Sequence, residues 1–404
     1  MERDVYMIKK KHPLILLYSC FIFILLCNFF IPVSSFADDN AAVFKLSSKI
    51  LVAGKFYHSD ARKIDLSQLN DDNVEKTIEK LHRFPELKVV VLSPKDSQGQ
   101  QSVSTLSFDS YKLLVDAFPE IRFQYCFPFF GQNVSTDLTR SLLFKKQADI
   151  DDSAIDKIKE IIPYLPQLKT ISFHRCPATN EKLAEFREEF PEINVRWIVP
   201  FAGFSACSDT EKIWAMAGLY HDEDCENLKY FQNLKYLDIG HNGITRCDFL
   251  YGMPNLEVLI LAIGNLEDIS PVSSLKKLEY LEICDTKVTD LSPLSDCASL
   301  AHLNIGGIPA TDLSPLYSLK HLKRLFADNM TALSDTERND YESKFRELYP
   351  RAEISFLMYP EGGVENGYWR FSRGPYTGSY VDRYKLLREQ FGYDDDFGQA
   401  YVYD

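Results

Sequence analysis

Apolar positions recur with a fixed period through the middle of the chain. The segments Leu234-Lys-Tyr-Leu237-Asp-Ile239, Leu256-Glu-Val-Leu259-Ile-Leu261, Leu278-Glu-Tyr-Leu281-Glu-Ile283, Leu300-Ala-His-Leu303-Asn-Ile305 and Leu322-Lys-Arg-Leu325-Phe-Ala327 each begin 22 residues after the last. A second apolar position follows at Ile244, Leu266, Val288 and Ala310. The runs Asp268-Ile-Ser-Pro-Val272, Asp290-Leu-Ser-Pro-Leu294 and Asp312-Leu-Ser-Pro-Leu316 come next, and the first copy departs from them with Arg246-Cys247-Asp248. The alternation predicts a short strand, and the Asp and Ser-Pro residues a turn that sends the chain back. One such coil cannot bury its apolar face alone, so the pattern predicts stacked coils whose parallel strands lie about 4.8 Å apart.

On these residues the chain resembles the leucine-rich repeat family, and the Asp-Leu-Ser-Pro-Leu turns are similar to the internalin-type bacterial subgroup. The resemblance implies an α/β solenoid with a concave parallel sheet that binds proteins or other macromolecules without catalysis. It is tight over residues 228–330. The tail lacks the Leu-Pro-x-Thr-Gly sorting signal, and no immunoglobulin-like domain is apparent, so wall attachment and receptor adhesion do not follow from the likeness.

Longer repeats flank the coils. Phe84-Pro-Glu-Leu87 matches Leu165-Pro-Gln-Leu168 at an offset of 81, while Phe118-Pro-Glu-Ile121 matches Phe190-Pro-Glu-Ile193 at 72. Phe127-Pro-Phe-Phe-Gly131 matches Val199-Pro-Phe-Ala-Gly203, also at 72. Within each copy capped helices precede strands: Asn70 opens a helix over 71–82 before a strand at 88–92, and Asp152 opens one over 153–164 before a strand at 169–173. Helices over 109–117 and 180–189 precede strands over 122–127 and 194–199. These units resemble helix-bearing leucine-rich repeats, with one parallel sheet expected to run from them into the coils. A degenerate third copy, Phe345-Arg-Glu-Leu-Tyr-Pro350, closes the array 159 residues after Phe186.

The N-terminus sets the compartment. Lys9, Lys10 and Lys11 precede an apolar run to Val33, and Ser35-Phe36-Ala37 supplies small residues for cleavage after Ala37. An uncleaved anchor through residues 13–33 is the alternative membrane contact, and a lipobox ending at Cys20 is a weak third reading. Each places residues 38–404 outside the cytoplasm. The expected organisation is a signal or anchor at 1–37, duplicated helix-strand repeats at 38–227, five 22-residue repeats at 228–330 and a capping region at 331–404.

Composition narrows the partner. The net charge is −13, and removing residues 1–37 takes away four basic and two acidic residues to leave −15, which argues against nucleic acid. Nine cysteines without a C-x-x-C pair give no support for a zinc site, and seven remain after residue 37. Cys126, Cys176, Cys247 and Cys297 read as core filler, while a Cys207–Cys225 disulfide stands as an alternative to seven free thiols. The acidic cluster Asp222, Glu223, Asp224 and Glu226 lacks the glycine and spacing of a calcium loop and reads as a solvated linker. No catalytic motif is present, and no cofactor, metal or catalytic residue is assigned.

The expected recognition surface consists of two outward ladders on the concave face. Tyr236, Val258, Tyr280, His302 and Arg324 form one, and Asp238, Ile260, Glu282, Asn304 and Phe326 the other. Aromatic residues, an arginine and unpaired Ile260 suit a protein-binding hot spot, against a reading as ordinary solvated sheet. Eleven aromatics between Tyr368 and Asp404, with Tyr380, Tyr384, Leu387 and Phe391 on one helical face, predict a cap or, alternatively, a glycan- or envelope-binding platform.

Overall fold

The computed structural model describes residues 48–201 and 203–356. Residues 49–356 fall within one compact unit. One hydrophobic core runs through it from Ile50 to Phe356.

A hairpin of β1 (Lys49–Val52) and β2 (Lys55–His58) opens the chain. The first helix-bearing unit follows, with β3 (Lys63–Asp65), α1 (Val74–Leu81), β4 (Val89–Val91), α2 (Phe108–Ala117) and β5 (Arg122–Gln124). Its strand continues into β6 (Cys126–Phe129), which folds back on β7 (Gln132–Ser135). The second unit repeats the plan with β8 (Ser141–Lys145), α3 (Asp152–Ile161), β9 (Thr170–His174), α4 (Asn180–Glu189), β10 (Asn194–Phe201) and β11 (Phe204–Cys207). Then come β12 (Lys212–Trp214), β13 (Tyr236–Asp238), β14 (Val258–Ile260), β15 (Tyr280–Glu282), β16 (His302–Asn304) and β17 (Arg324–Phe326). Helix α5 (Asp335–Leu348) and β18 (Glu353–Ser355) close the described chain. The fold is a leucine-rich repeat solenoid.

Each 22-residue coil is built as its sequence dictates. The leucines at the second strand position, such as Leu259, Leu281 and Leu303, pair in register and are fully buried. The Asp268, Asp290 and Asp312 carboxylates accept the backbone N–H of Ser270, Ser292 and Ser314 at 2.7, 2.8 and 2.9 Å. These bonds start the 3-10 turns Ser270–Ser274, Ser292–Asp296 and Ser314–Ser318, which return the chain behind the sheet. In the first coil, Asp222 from the preceding turn accepts from the N–H groups of Thr245 and Arg246 instead.

The expected continuous sheet is not formed. Three separate parallel sheets stand in its place, β3-β4-β5, β8-β9-β10 with β11 added antiparallel, and β12 to β18. Antiparallel hairpins interrupt them. In β10 the first half pairs with β9 while the second half pairs with β11, so the strand leaves its parallel neighbour to make the hairpin. The turns carry left-handed residues, Ala53 and Gly54 in the first and Phe130 and Gly131 in the second, which match the twist of two-residue hairpins. Glycine then a Ser/Thr-Asp pair five residues on recurs at Gly54, Gly131 and Gly203, and this spacing was the missed signal. Its hydroxyls close the hairpin base: Thr136 accepts the Tyr125 N–H at 3.2 Å, and Ser208 accepts the Trp197 N–H at 3.1 Å.

The helices begin close to expectation. Asp151 caps α3 by accepting the Ala154 N–H at 2.9 Å, one residue before the cap read from sequence. Asn70 makes no side-chain cap bond, because a 3-10 turn over Asp71–Asn73 precedes α1. Thr179 caps α4, accepting the Lys182 N–H at 3.2 Å. Replacing Thr179 with alanine is expected to lower unfolding stability by about 1 kcal/mol, read as a shifted denaturant midpoint at constant slope. The closing helix is aromatic toward the last coil, where Phe345 packs on Tyr317, Tyr349 and Phe356. The part of the expected aromatic cap beyond residue 356 lies outside the described residues.

Candidate functional site

Strict register brings the two ladders together. Tyr236 pairs with Val258, Val258 with Tyr280, Tyr280 with His302 and His302 with Arg324. Asp238, Ile260, Glu282, Asn304 and Phe326 align in the same way two residues further along the strands. Because side chains alternate across a strand, all ten lie opposite the leucines of the core.

Their expected exposure is corrected. Val258, Ile260, Tyr280, Asp238, Glu282, His302 and Asn304 are buried, with Asp238 and Glu282 at 0% exposure, and Tyr236, Arg324 and Phe326 are half-buried. This second face is itself apolar. Trp214, Val258, Ile260, Ala262, Tyr280 and Cys284 form a hydrophobic cluster separate from the core, with Tyr236, Met216 and Ile263 packed at its margin. Alternation locates a face but does not say whether it is wet.

Several polar members of the ladders hold the backbone. Asp238 and Asn304 each accept, at 3.1 Å, the N–H of the glycine two residues on, Gly240 and Gly306. The Tyr280 hydroxyl donates to Glu282. Arg324 donates to Glu353 at 3.1 Å, and the Tyr236 hydroxyl lies 3.4 Å from Glu257. Burial, with Arg324 and Lys323 adding repulsion, pushes the His302 imidazole down to about 3.

A left-handed residue follows each strand at the same period: His241, Ile263, Asp285, Gly307 and Asn329. Glycine, asparagine, aspartate and histidine tolerate this conformation, whereas β-branched Ile263 is strained in it by about 1–2 kcal/mol. Ile263 is also the member of the set that packs against the second cluster. The conformation recurs in every coil, so the strain at Ile263 is imposed by the turn of the repeat.

The remaining candidates resolve into structural roles. Asp222 holds the first coil through Thr245 and Arg246, and Asp224 accepts the His221 N–H at 2.9 Å to cap the turn that contains the acidic cluster. Among the described residues no group of three or more His, Cys, Asp or Glu side chains could hold a metal ion. Cys207 and Cys225 are not joined in a disulfide. Thiol titration of the denatured, unreduced chain lacking residues 1–37 is expected to count seven, and five would indicate the alternative bond. No described helix is long and apolar enough to cross a membrane, and the signal or anchor segment lies outside the described residues. So does the aromatic stretch from Tyr368 onward.

Comparison with known proteins agrees with the repeat. A family model for leucine-rich repeats, two copies, matches residues 232–275. No curated protein matches the chain. Among solved structures the chain is similar to an internalin, InlF, of Listeria monocytogenes, at 14% identity over 76% of this chain and 84% of that one, with a TM-score of 0.30. Internalin C2 of the same organism matches at 21% identity over 52% of this chain and 84% of its own, with a TM-score of 0.29. A leucine-rich repeat protein of Leptospira interrogans matches at 14% identity over 69% and 74%, with a TM-score of 0.32.

Proposed function

We propose that this chain is a non-catalytic recognition protein that works outside the cytoplasm and binds a protein partner through the concave face of its seven-stranded sheet. The observation that carries this reading is the second apolar cluster on that face. Stacked coils need one core, on the leucine side of the sheet, and the cluster of Trp214, Val258, Ile260, Tyr280 and Cys284 is surplus to it. Aromatic and aliphatic groups framed by an arginine and carboxylates are the composition of a protein-binding centre.

The test is capture of candidate partners from envelope extract and host-surface extract by the full chain. A Tyr236→Ala, Phe326→Ala variant, both positions half-buried at the ladder ends, is checked for folding by circular dichroism. Capture lost in the folded variant supports the reading. Capture that survives, or that soluble glycan abolishes, moves recognition to the aromatic C-terminal segment.

A further inference from the structure

The three hairpins share one plan, and they differ at matched positions. Aligned on Gly54, Gly131 and Gly203, the cross-strand pair beside the turn on the side away from the core is Pro128 with Asn133 in the second hairpin and Pro200 with Ser205 in the third. In the first it is Leu51 with Phe56, directly opposed and 43% and 68% exposed. Their neighbours Ile50 and Val52 point the other way, into the core, at 2% and 0% exposure. The hairpin therefore folds on one face and keeps an apolar pair on the other, where its two copies carry proline and polar residues. Scattered apolar side chains on a surface need no explanation, but a matched pair that replaces polar residues at a repeated joint does.

Charge changes at the same joint. From Lys49 to Lys63 the chain carries Lys49, Lys55, Arg62 and Lys63 against Asp60, a net +3. The matching stretch 126–140 is neutral, with Arg140 against Asp137, and 198–212 is net −1, with Lys212 against Asp209 and Glu211. All four basic residues of the first joint are exposed, and Arg62 lies 3.9 Å from Glu86. Lys49 and His58 share the face of Leu51 and Phe56, and Lys55 stands at the turn beside them. In a molecule of net charge −13 this is a local reversal of sign. The hairpin is also held in place, because the Tyr57 hydroxyl donates to the Asp65 carbonyl of β3.

We propose that this hairpin face docks on a lipid bilayer that carries anionic headgroups, with Leu51 and Phe56 entering the interface while Lys49 and Lys55 meet the headgroups. Apolar side chains rimmed by lysine are the composition of an interfacial membrane contact, and a bilayer receives them without shape complementarity. Two apolar side chains fall far short of the roughly 800 Å² that each partner buries in a stable protein interface. A second copy set face to face would bring Lys49 against its own counterpart, like charge against like. The contact is separate from recognition through the seven-stranded sheet, and each can fail without the other.

Vesicle sedimentation tests it on the chain lacking residues 1–37, which fall outside the compact unit that begins at Lys49. This chain is expected to bind vesicles of phosphatidylcholine mixed with phosphatidylglycerol about tenfold more tightly than pure phosphatidylcholine, and to be released by salt. A Leu51→Ser, Phe56→Ser variant, checked for folding by circular dichroism, is expected to lose about tenfold of that binding, as is Lys49→Glu, Lys55→Glu. Equal binding by the serine variant would overturn the proposal. So would a native chain that leaves the vesicles unbound, or one whose self-association the serine variant abolishes while vesicles go unbound.

Phe56→Trp decides the matter if the serine variant unfolds. On anionic vesicles the added tryptophan is expected to shift its emission to the blue and to be quenched by brominated lipid. Emission from residue 56 that vesicles leave unchanged would place it in water and overturn the assignment.

Discussion

Replacing Tyr280 with alanine is expected to destabilise the solenoid by about 3–5 kcal/mol, the range for truncating a buried aromatic side chain. An open outer face would give a far smaller effect, because an exposed sheet residue changes stability by a fraction of this. The Tyr280 ring is 1% exposed, packs within the second cluster and lies 6.2 Å from His302. Truncation also removes the hydroxyl donor from buried Glu282. Tyr280→Phe isolates that last contribution and should cost about 1.5–3 kcal/mol, the net contribution of a hydrogen bond to a charged group. Urea unfolding of the two variants beside the native chain separates packing from hydrogen bonding. A Tyr280→Ala cost below 1 kcal/mol would contradict the packed face.

The second large effect is a dependence on pH centred on His302. Its imidazole is held down to about 3 by burial, with the charges of Arg324 and Lys323 acting in the same direction. The folded protein therefore keeps His302 neutral where the unfolded chain binds a proton, and stability falls as pH falls from about 6.5 toward 3. Between pH 6.5 and 4.5 this corresponds to about 2 kcal/mol lost. Carboxylates add a loss common to the native chain and a His302 variant, because Glu181 and Glu337 are held below the usual range by hydrogen bonds from Tyr230 and Ser334 and begin to give up stabilisation near the end of this window. Asp268 and Asp312, held below the usual range by hydrogen bonds from Ser270 and Ser314, give up their stabilisation only at lower pH. Denaturant titrations at pH 6.5, 5.5 and 4.5 should show the loss in the native chain and a flatter profile in His302→Gln. Equal slopes in the two would show that His302 is charged in the folded state.

The repeat was legible because its period is written in residues that do one thing. Leu259, Leu281 and Leu303 can only face the core, and the Asp-x-Ser-Pro runs can only turn, so register and ladder membership followed from counting. What sequence could not show was the far side of the sheet. Asp238 and Asn304 read as outward binding groups, yet each is committed to its own backbone two residues on. Val258 and Tyr280 read as rows in water because alternation says which face, and only a covering layer says whether it is dry. The broken sheet was missed for another reason. In β10 one uninterrupted strand serves two partners, and nothing in the hydrophobic alternation of Asn194–Phe201 marks where parallel pairing gives way to the hairpin.

Those hairpins are seams. From the turn at Gly54 to the turn at Gly131, and from there to the turn at Gly203, the chain carries two helices and a parallel sheet of its own. Each stretch begins and ends on the same Gly-to-Ser/Thr-Asp joint. A gene could therefore gain or lose such a cassette at its joints without disturbing the phase of the 22-residue coils downstream. Lengthening the molecule and altering the outer face of the seven-stranded sheet are separate evolutionary operations in this architecture.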